Sequence, residues 1–305
     1  MDIRYLTRKE INDELWDKTV ENSHNRLIYG FSWYLDAACN GSWNALIMCD
    51  YEYIMPLPVR KKFFISYVYN PFLVQQLGVF SRNEPSPELV ADFFNAIPEK
   101  FKIVDIATSN NVENVLNFNK IVRQNQVLDL NQDYETLFSK WGRKTKQLIN
   151  KVERSNLEII DNIDFKTFYN FQKKWEPVKF TEKNREIIKG LLNSYDKNFE
   201  VCIFGVLYKT DLISVFLYIV DNQSVYLLLS SSNITGREMD VSYFQINHII
   251  KKYIKDKKVL DFLGSSVKSI SFRNSRFGAV TQNYTLLTQN NLPWWIKTVK
   301  KLFKI

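Results

Sequence analysis

Two spacings of apolar residues, one strand-like and one helix-like, divide this chain into elements. Lys9 to Val20 reads as a helix with Ile11, Leu15, Trp16 and Val20 on one face. Ser32 to Ala38 reads as a second, with Ser32 as its cap and Asn40-Gly41 as its end. Trp43 to Cys49 and Tyr53 to Val59 form a hairpin across Asp50-Tyr51-Glu52. Pro56 and Pro58 cannot donate to a ladder, which places the second strand at an edge or near a bulge. Ile65–Tyr69 and Val74–Val79 are extended, Pro87–Ala96 is a helix, and Ile103–Ala107 and Val127–Leu130 are strands.

The stretch from Trp141 to Ile160 sits near the middle. On a helix, Leu148, Ile149 and Val152 gather on one side, while Arg143, Lys144, Lys151 and Arg154 share most of the other. Within the helix five basic residues meet one acid, Glu153. Ser155-Asn156 closes the helix, and the strand Leu157–Ile160 follows. Two readings stand: a solvated surface helix, or a face that binds a phosphate-bearing ligand. Beyond it the pattern predicts helices over Asp164–Trp175 and from Thr181 to Ser194. Strands follow over Glu200–Leu207, Leu212–Val220 and Ser224–Ser231, then a polar turn. A helix over Val241–Ile254, a strand over Val259–Leu263, a basic helix over Val267–Ser275 and a strand over Asn283–Thr288 complete the series.

Composition narrows the class. A length of 305 residues suggests two domains, and 45% hydrophobic residues supply real cores. The net charge of +8 favours an anionic partner such as a nucleotide, tRNA or an acidic membrane face. Three cysteines, far apart and without a CxxC, argue against a disulfide framework or structural zinc, and no metal is expected. No signal peptide and no membrane-length apolar run is evident, so a cytoplasmic protein is expected. No HExxH, Walker loop or Rossmann glycine run occurs. Of the two histidines, His24 lies in a polar segment and His248 among Ile246, Ile249 and Ile250, where packing is the simpler role.

Helices, then a meander of strands, then strand–helix–strand is the element order of an acyl-CoA N-acyltransferase (GNAT) domain. W-Y-L-D-A at 33–37, M-P-L-P-V-R-K-K at 55–62, Q-Q-L-G-V-F-S at 75–81, R-K-T-K-Q at 143–147, D-F-L-G-S at 261–265 and R-F-G-A at 276–279 occur in order. Together they resemble the FemAB-like branch of the GNAT superfamily, particularly its uncharacterised bacterial members. The resemblance implies an α/β (α+β) chain of tandem GNAT-like domains, each a mixed, largely antiparallel sheet flanked by helices. The expected domains are 1–135 and 136–305, the second opening with the basic linker helix 141–155. It implies transfer of an acyl or aminoacyl group from a CoA thioester, such as acetyl-CoA, or from aminoacyl-tRNA. The acceptor is an amine on a small molecule or cell-wall precursor. The family's basic helix maps onto Arg143, Lys144 and Lys146. Its D-F-E-G-S turn maps onto Asp261–Ser265, with Leu263 in place of the acid, and its last Phe-Gly pair onto Phe277 and Gly278.

In such folds the donor's pyrophosphate sits on N–H groups at a helix N-terminus. The corresponding turn here is N-I-T-G-R-E-M-D, with Gly236 and Arg237. Glu238 and Asp240 would oppose a phosphate, and Asp240 alternatively caps the next helix. Gln75–Phe80 fits Q-x-x-G-x in the first half, with an ordinary strand end as the alternative. Donor contacts are therefore expected from Arg143, Lys144, Lys151, Gly236 and Arg237. Amine acylation needs a base and an acid. Asp261, beside a strand C-terminus, is the expected base, against a capping or salt-bridge role, and Tyr284 the expected acid. Lys268, Arg273 and Arg276 are expected to hold a phosphate or substrate carboxylate, against a solvated helix face. The C-terminal N-L-P-W-W-I-K-T-V-K-K-L-F-K-I suits either packing onto the domain or peripheral contact with the inner face of an anionic membrane. Two rival functions remain: a catalytically inactive GNAT-fold protein that binds nucleic acid, or a membrane-peripheral one.

Overall fold

The computed structural model describes residues 2–176, 181–194, 198–264 and 266–293. The expected C-terminal basic helix lies outside them. In chain order the elements begin with β1 (Arg4–Thr7), α1 (Asp13–Glu21), α2 (Ser32–Cys39), β2 (Trp43–Met48), β3 (Tyr53–Lys62) and β4 (Ile65–Val68). Next come β5 (Phe80–Ser81), α3 (Pro87–Asn95), β6 (Phe101–Thr108), β7 (Asn119–Asp129), α4 (Tyr134–Lys140) and α5 (Arg143–Glu153). Then follow β8 (Leu157–Asp161), α6 (Phe165–Trp175), α7 (Glu182–Asn193), β9 (Glu200–Tyr208), β10 (Asp211–Val220) and β11 (Ser224–Ser232). The series closes with α8 (Ile234–Glu238), α9 (Val241–Tyr253), β12 (Val259–Asp261), α10 (Lys268–Ser275) and β13 (Val280–Asn290).

Side-chain caps set several helix starts. Asn12, Ser86, Asp133, Asp164 and Thr181 each accept a bond from the N–H three residues on, satisfying one of the orphan donors of a first turn. Ser32, expected as a cap, is instead the first helical residue of α2 and donates its hydroxyl to Asp17 at 2.7 Å.

The chain forms two compact units, one of residues 2–123 with the described residues from Asn283 on, the other of 124–282. This differs from a single boundary near 135. The last strand belongs to the first unit because Thr285–Asn290 pair with β6. In the first unit β1, β2, β3 and β4 pair antiparallel in sequence order, β4 runs parallel to β6, and β6 pairs antiparallel with β13. The second repeats this plan: β8, β9, β10 and β11 antiparallel, β11 parallel to β12, and β12 antiparallel to β7. Within each unit the strand pairing is thus mixed and mostly antiparallel, as expected.

Pro56 and Pro58 sit inside β3, which is not an outer strand. They are tolerated because β5 covers only Tyr53–Ile54 and β4 only Val59–Lys62 of that side, leaving the intervening proline stretch without a ladder there. In the first unit Trp16 and Trp43 meet at 5.0 Å, both fully buried. In the second, Phe204, Phe216 and Tyr218 of the sheet pack with Ile149 of α5 and Ile246, Ile249 and Ile250 of α9 in one cluster. His248 lies 5.6 Å from the Phe204 ring, and burial lowers its pKa, in keeping with a packing role.

Candidate functional site

β11 and β12 pair in parallel over three residues only, Ser224–Tyr226 against Val259–Asp261. β11 then continues to Ser232 while β12 stops, so the parallel pairing ends at Asp261. The stop is built into the backbone. Leu263 and Gly264 take left-handed φ of 47° and 59°, which ends the extended chain two residues before the expected limit.

Asp261 is buried at the strand end. Its Oδ1 accepts from Asn125 Nδ2 at 2.9 Å and from the Leu263 N–H at 3.0 Å. Both bonds converge on one oxygen, and no hydrogen bond among the described residues reaches Oδ2. Burial outweighs these bonds and pushes the carboxyl up to about 6.

The other charges gather around Phe277. Its ring lies 5.2 Å from Trp141, 5.5 Å from Tyr243 and 6.4 Å from Phe262, so it joins the entry to α5, the first turn of α9 and the turn after β12. Trp141 Nε1 also donates to the Phe277 carbonyl at 2.9 Å. Arg276 Nη1 donates to Tyr243 Oη at 3.1 Å. One turn earlier Arg273 is half-buried, with Nε and Nη2 on Asn274 Oδ1 at 3.2 and 3.0 Å. Burial pulls Arg273 down to about 10. Among the described residues neither Asp261 nor Arg273 belongs to an ion pair. Lys268, at the start of α10, is exposed.

Unsatisfied polar groups lie on β7, β11 and α9 of the same unit. Gln126 Oε1 on β7, Ser231 Oγ on β11 and both amide atoms of Gln245 on α9 are buried without a hydrogen bond. Each such group costs roughly 1–3 kcal/mol, a cost a bound polar ligand relieves.

The expected donor contacts divide. Arg143 and Lys144 are exposed in the first turn of α5, which holds no acid and no side-chain cap. Cations there oppose the helix dipole and favour an anion. Lys151 Nζ lies 3.6 Å from Asp240, and Glu153 is bonded to Asn247 and Lys251 of α9. Asp240 holds the N-cap position of α9, yet in a left-handed conformation (φ 57°) and without a side-chain cap bond. The turn with Gly236 is helical: the Gly236 N–H donates to Asn233 Oδ1 at 2.8 Å, and Arg237 Nη2 donates to the Trp175 carbonyl at 2.7 Å. A Cβ on Gly236 would sit 2.6 Å from the backbone oxygen of Ile213. Gly236→Ala is therefore expected to destabilise the second unit by about 1–3 kcal/mol, read by denaturant unfolding. Tyr284 is buried on β13 in the first unit.

Asn125, Tyr243 and Asn274 were not expected. Asn125 reaches Asp261 across 136 positions, and no local pattern marks such a contact. A separate cavity of about 600 Å³ lies in the first unit, walled in part by Lys62, Phe63, Tyr67 and Asp105. Burial raises the Asp105 carboxyl.

No protein-family profile matches the sequence, and no curated protein does. Solved structures do. The chain is similar to FemX at TM-score 0.69 and 10% identity, with 100% of both chains covered. It is similar to L-PGS from Bacillus licheniformis at 0.55 and 10%, covering 94% of this chain and 95% of that one. A tandem GNAT protein from the clavulanic acid biosynthesis pathway matches at 0.52 and 8%, covering 96% and 99%. The chain has the tandem GNAT fold.

Proposed function

We propose that the second unit carries an acyl- or aminoacyltransferase site that forms an amide on an amine acceptor. The observation that carries this reading is Asp261, a buried carboxylate at the end of β12 whose Oδ2 accepts no hydrogen bond among the described residues. In the cycle, Asp261 Oδ2 takes a proton from the acceptor's ammonium. The freed nitrogen attacks the donor's carbonyl carbon, the N–C bond forms, and the C–S bond of a thioester or C–O bond of an aminoacyl ester breaks. That proton then passes from Asp261 to the leaving sulfur or oxygen, and the second proton shed by the attacking nitrogen is released to solvent. A carboxyl near 6 suits both transfers, because it is neither too weak a base nor too weak an acid at neutral pH. The cycle needs no second acid, and Tyr284 is not required for it. Arg273 and Arg276 would hold the donor's phosphates beside Tyr243, with Arg143 and Lys144 as an outer contact. The donor is acyl-CoA or aminoacyl-tRNA, both of which carry phosphates; a cell-wall precursor or an amine-bearing lipid headgroup fits as acceptor class.

Calorimetry with acetyl-CoA, longer acyl-CoAs and charged tRNA, followed by assay of amide formation on simple amines, tests the proposal. Saturable binding of one donor and amide product are expected. Absence of both would end the enzyme reading. Arg143→Glu with Lys144→Glu is expected to leave folding intact, since both side chains are exposed. If charged tRNA is the donor, its affinity should fall about tenfold or more, and the slope against salt by roughly two. Lys151 is unsuited to the same test because its loss would leave Asp240 unpaired.

A further inference from the structure

We propose that the first unit attaches to anionic lipid bilayers through the tip of the β3–β4 hairpin. Lys62 pairs with Ile65, so the loop is Phe63-Phe64 alone. Both residues are left-handed, with φ of 46° and 66°. This is the two-residue hairpin turn that favours Asn-Gly, since a left-handed L-residue crowds its Cβ against the following carbonyl. Here it holds two phenylalanines, 73% and 94% exposed. The turn therefore carries backbone strain and leaves two aromatic rings in water. Neither folding nor solubility gains from that choice, whereas a partner that takes up the rings would.

The flanking charge identifies the partner. Lys62 Nζ lies 5.5 Å from the Phe63 ring, and Lys61 Nζ 6.0 Å from the Phe64 ring. Rings that enter the acyl boundary with ammonium groups left at phosphate level are the chemistry of interfacial binding to anionic lipid. The chain's net charge of +8 acts in the same sense. No helix among the described residues is long and apolar enough to cross a membrane, so this contact is peripheral. It is independent of the transfer site, and its test uses no activity.

The test is co-sedimentation of the full chain with phosphatidylcholine vesicles, with and without phosphatidylglycerol. Salt-sensitive binding to the anionic vesicles is expected. Phe63→Asn with Phe64→Gly installs the favoured turn, so the variant should melt no lower than the parent while its vesicle affinity falls about tenfold or more. Lys61→Glu with Lys62→Glu should lose the preference for anionic lipid. The proposal is overturned if the parent ignores anionic vesicles, or if the Asn-Gly variant binds them as the parent does. It is equally overturned if truncation after Pro293 abolishes binding while the Asn-Gly variant retains it, or if sedimentation velocity shows that the tip instead joins two copies of the chain.

Discussion

An Asp261→Asn variant is expected to be more stable than the parent at pH 8 and to lose acyl transfer by about 10²–10⁴-fold. The two effects share one cause. Burial raises the carboxyl from 3.8 to about 6, so the folded state resists the charge that the unfolded state accepts. Between these values the native protein binds more protons than the unfolded chain, and stability falls as pH rises. Above pH 6 the cost is constant, with a ceiling of roughly 3 kcal/mol for a shift of this size. Asparagine removes the charge and keeps both hydrogen bonds, because Asn125 and Leu263 donate to the same oxygen, which an amide carbonyl replaces. A gain of about 1–3 kcal/mol at pH 8, shrinking towards zero by pH 4, is therefore expected from urea unfolding at the two pH values. In the parent, the transfer rate should rise with pH through about 6. A variant that keeps its rate, or whose stability gain is the same at both pH values, would remove Asp261 as the base.

The second unit was legible where one period dominates. The strands β9, β10 and β11 and the helices α6 and α9 fall within a residue or two of their expected limits, since the strands and α9 bury apolar faces in one continuous cluster and α6 buries Phe168 and Tyr169. Legibility failed where pairing rather than pattern decides. The opening of β7, N-K-I-V-R-Q, is exposed at every position, so no alternation announces a strand. Val74–Val79 is apolar enough for one yet forms none; its backbone is taken by other partners, with the Leu77 N–H on the Ala107 carbonyl and the Val79 N–H on Asn110 Oδ1. The helix α4, Tyr134–Lys140, was not expected: it is only seven residues long, and its Tyr134 and Phe138 rings pack with Trp141, whose indole lies against Phe277. At the candidate site, Asp261 and the two arginines were singled out from position and charge. Their desolvation was not, because it depends on Phe262, Phe277 and Tyr243 arriving from distant segments.

Arg273→Met is expected to follow the same rule with the opposite charge. A guanidinium pulled to about 10 by burial is a cation the folded state holds at a cost, of the order of 2–3 kcal/mol at neutral pH. Its only hydrogen bonds among the described residues go to the neighbouring Asn274 amide, which orients the fork without neutralising it. Asp261 lies in the same unit, yet no ion pair joins the two. Were stability the purpose, pairing them or replacing both with apolar residues would serve better. A half-buried cation without an ion pair among the described residues, one turn from Arg276 and its bond to Tyr243, instead suits an anion that arrives with the donor. Methionine fills similar space without charge, so the variant should unfold at a higher urea concentration and bind the donor about ten- to a hundredfold more weakly. A variant that gains stability yet binds donor with parental affinity would place the phosphates elsewhere and leave Arg273 unexplained.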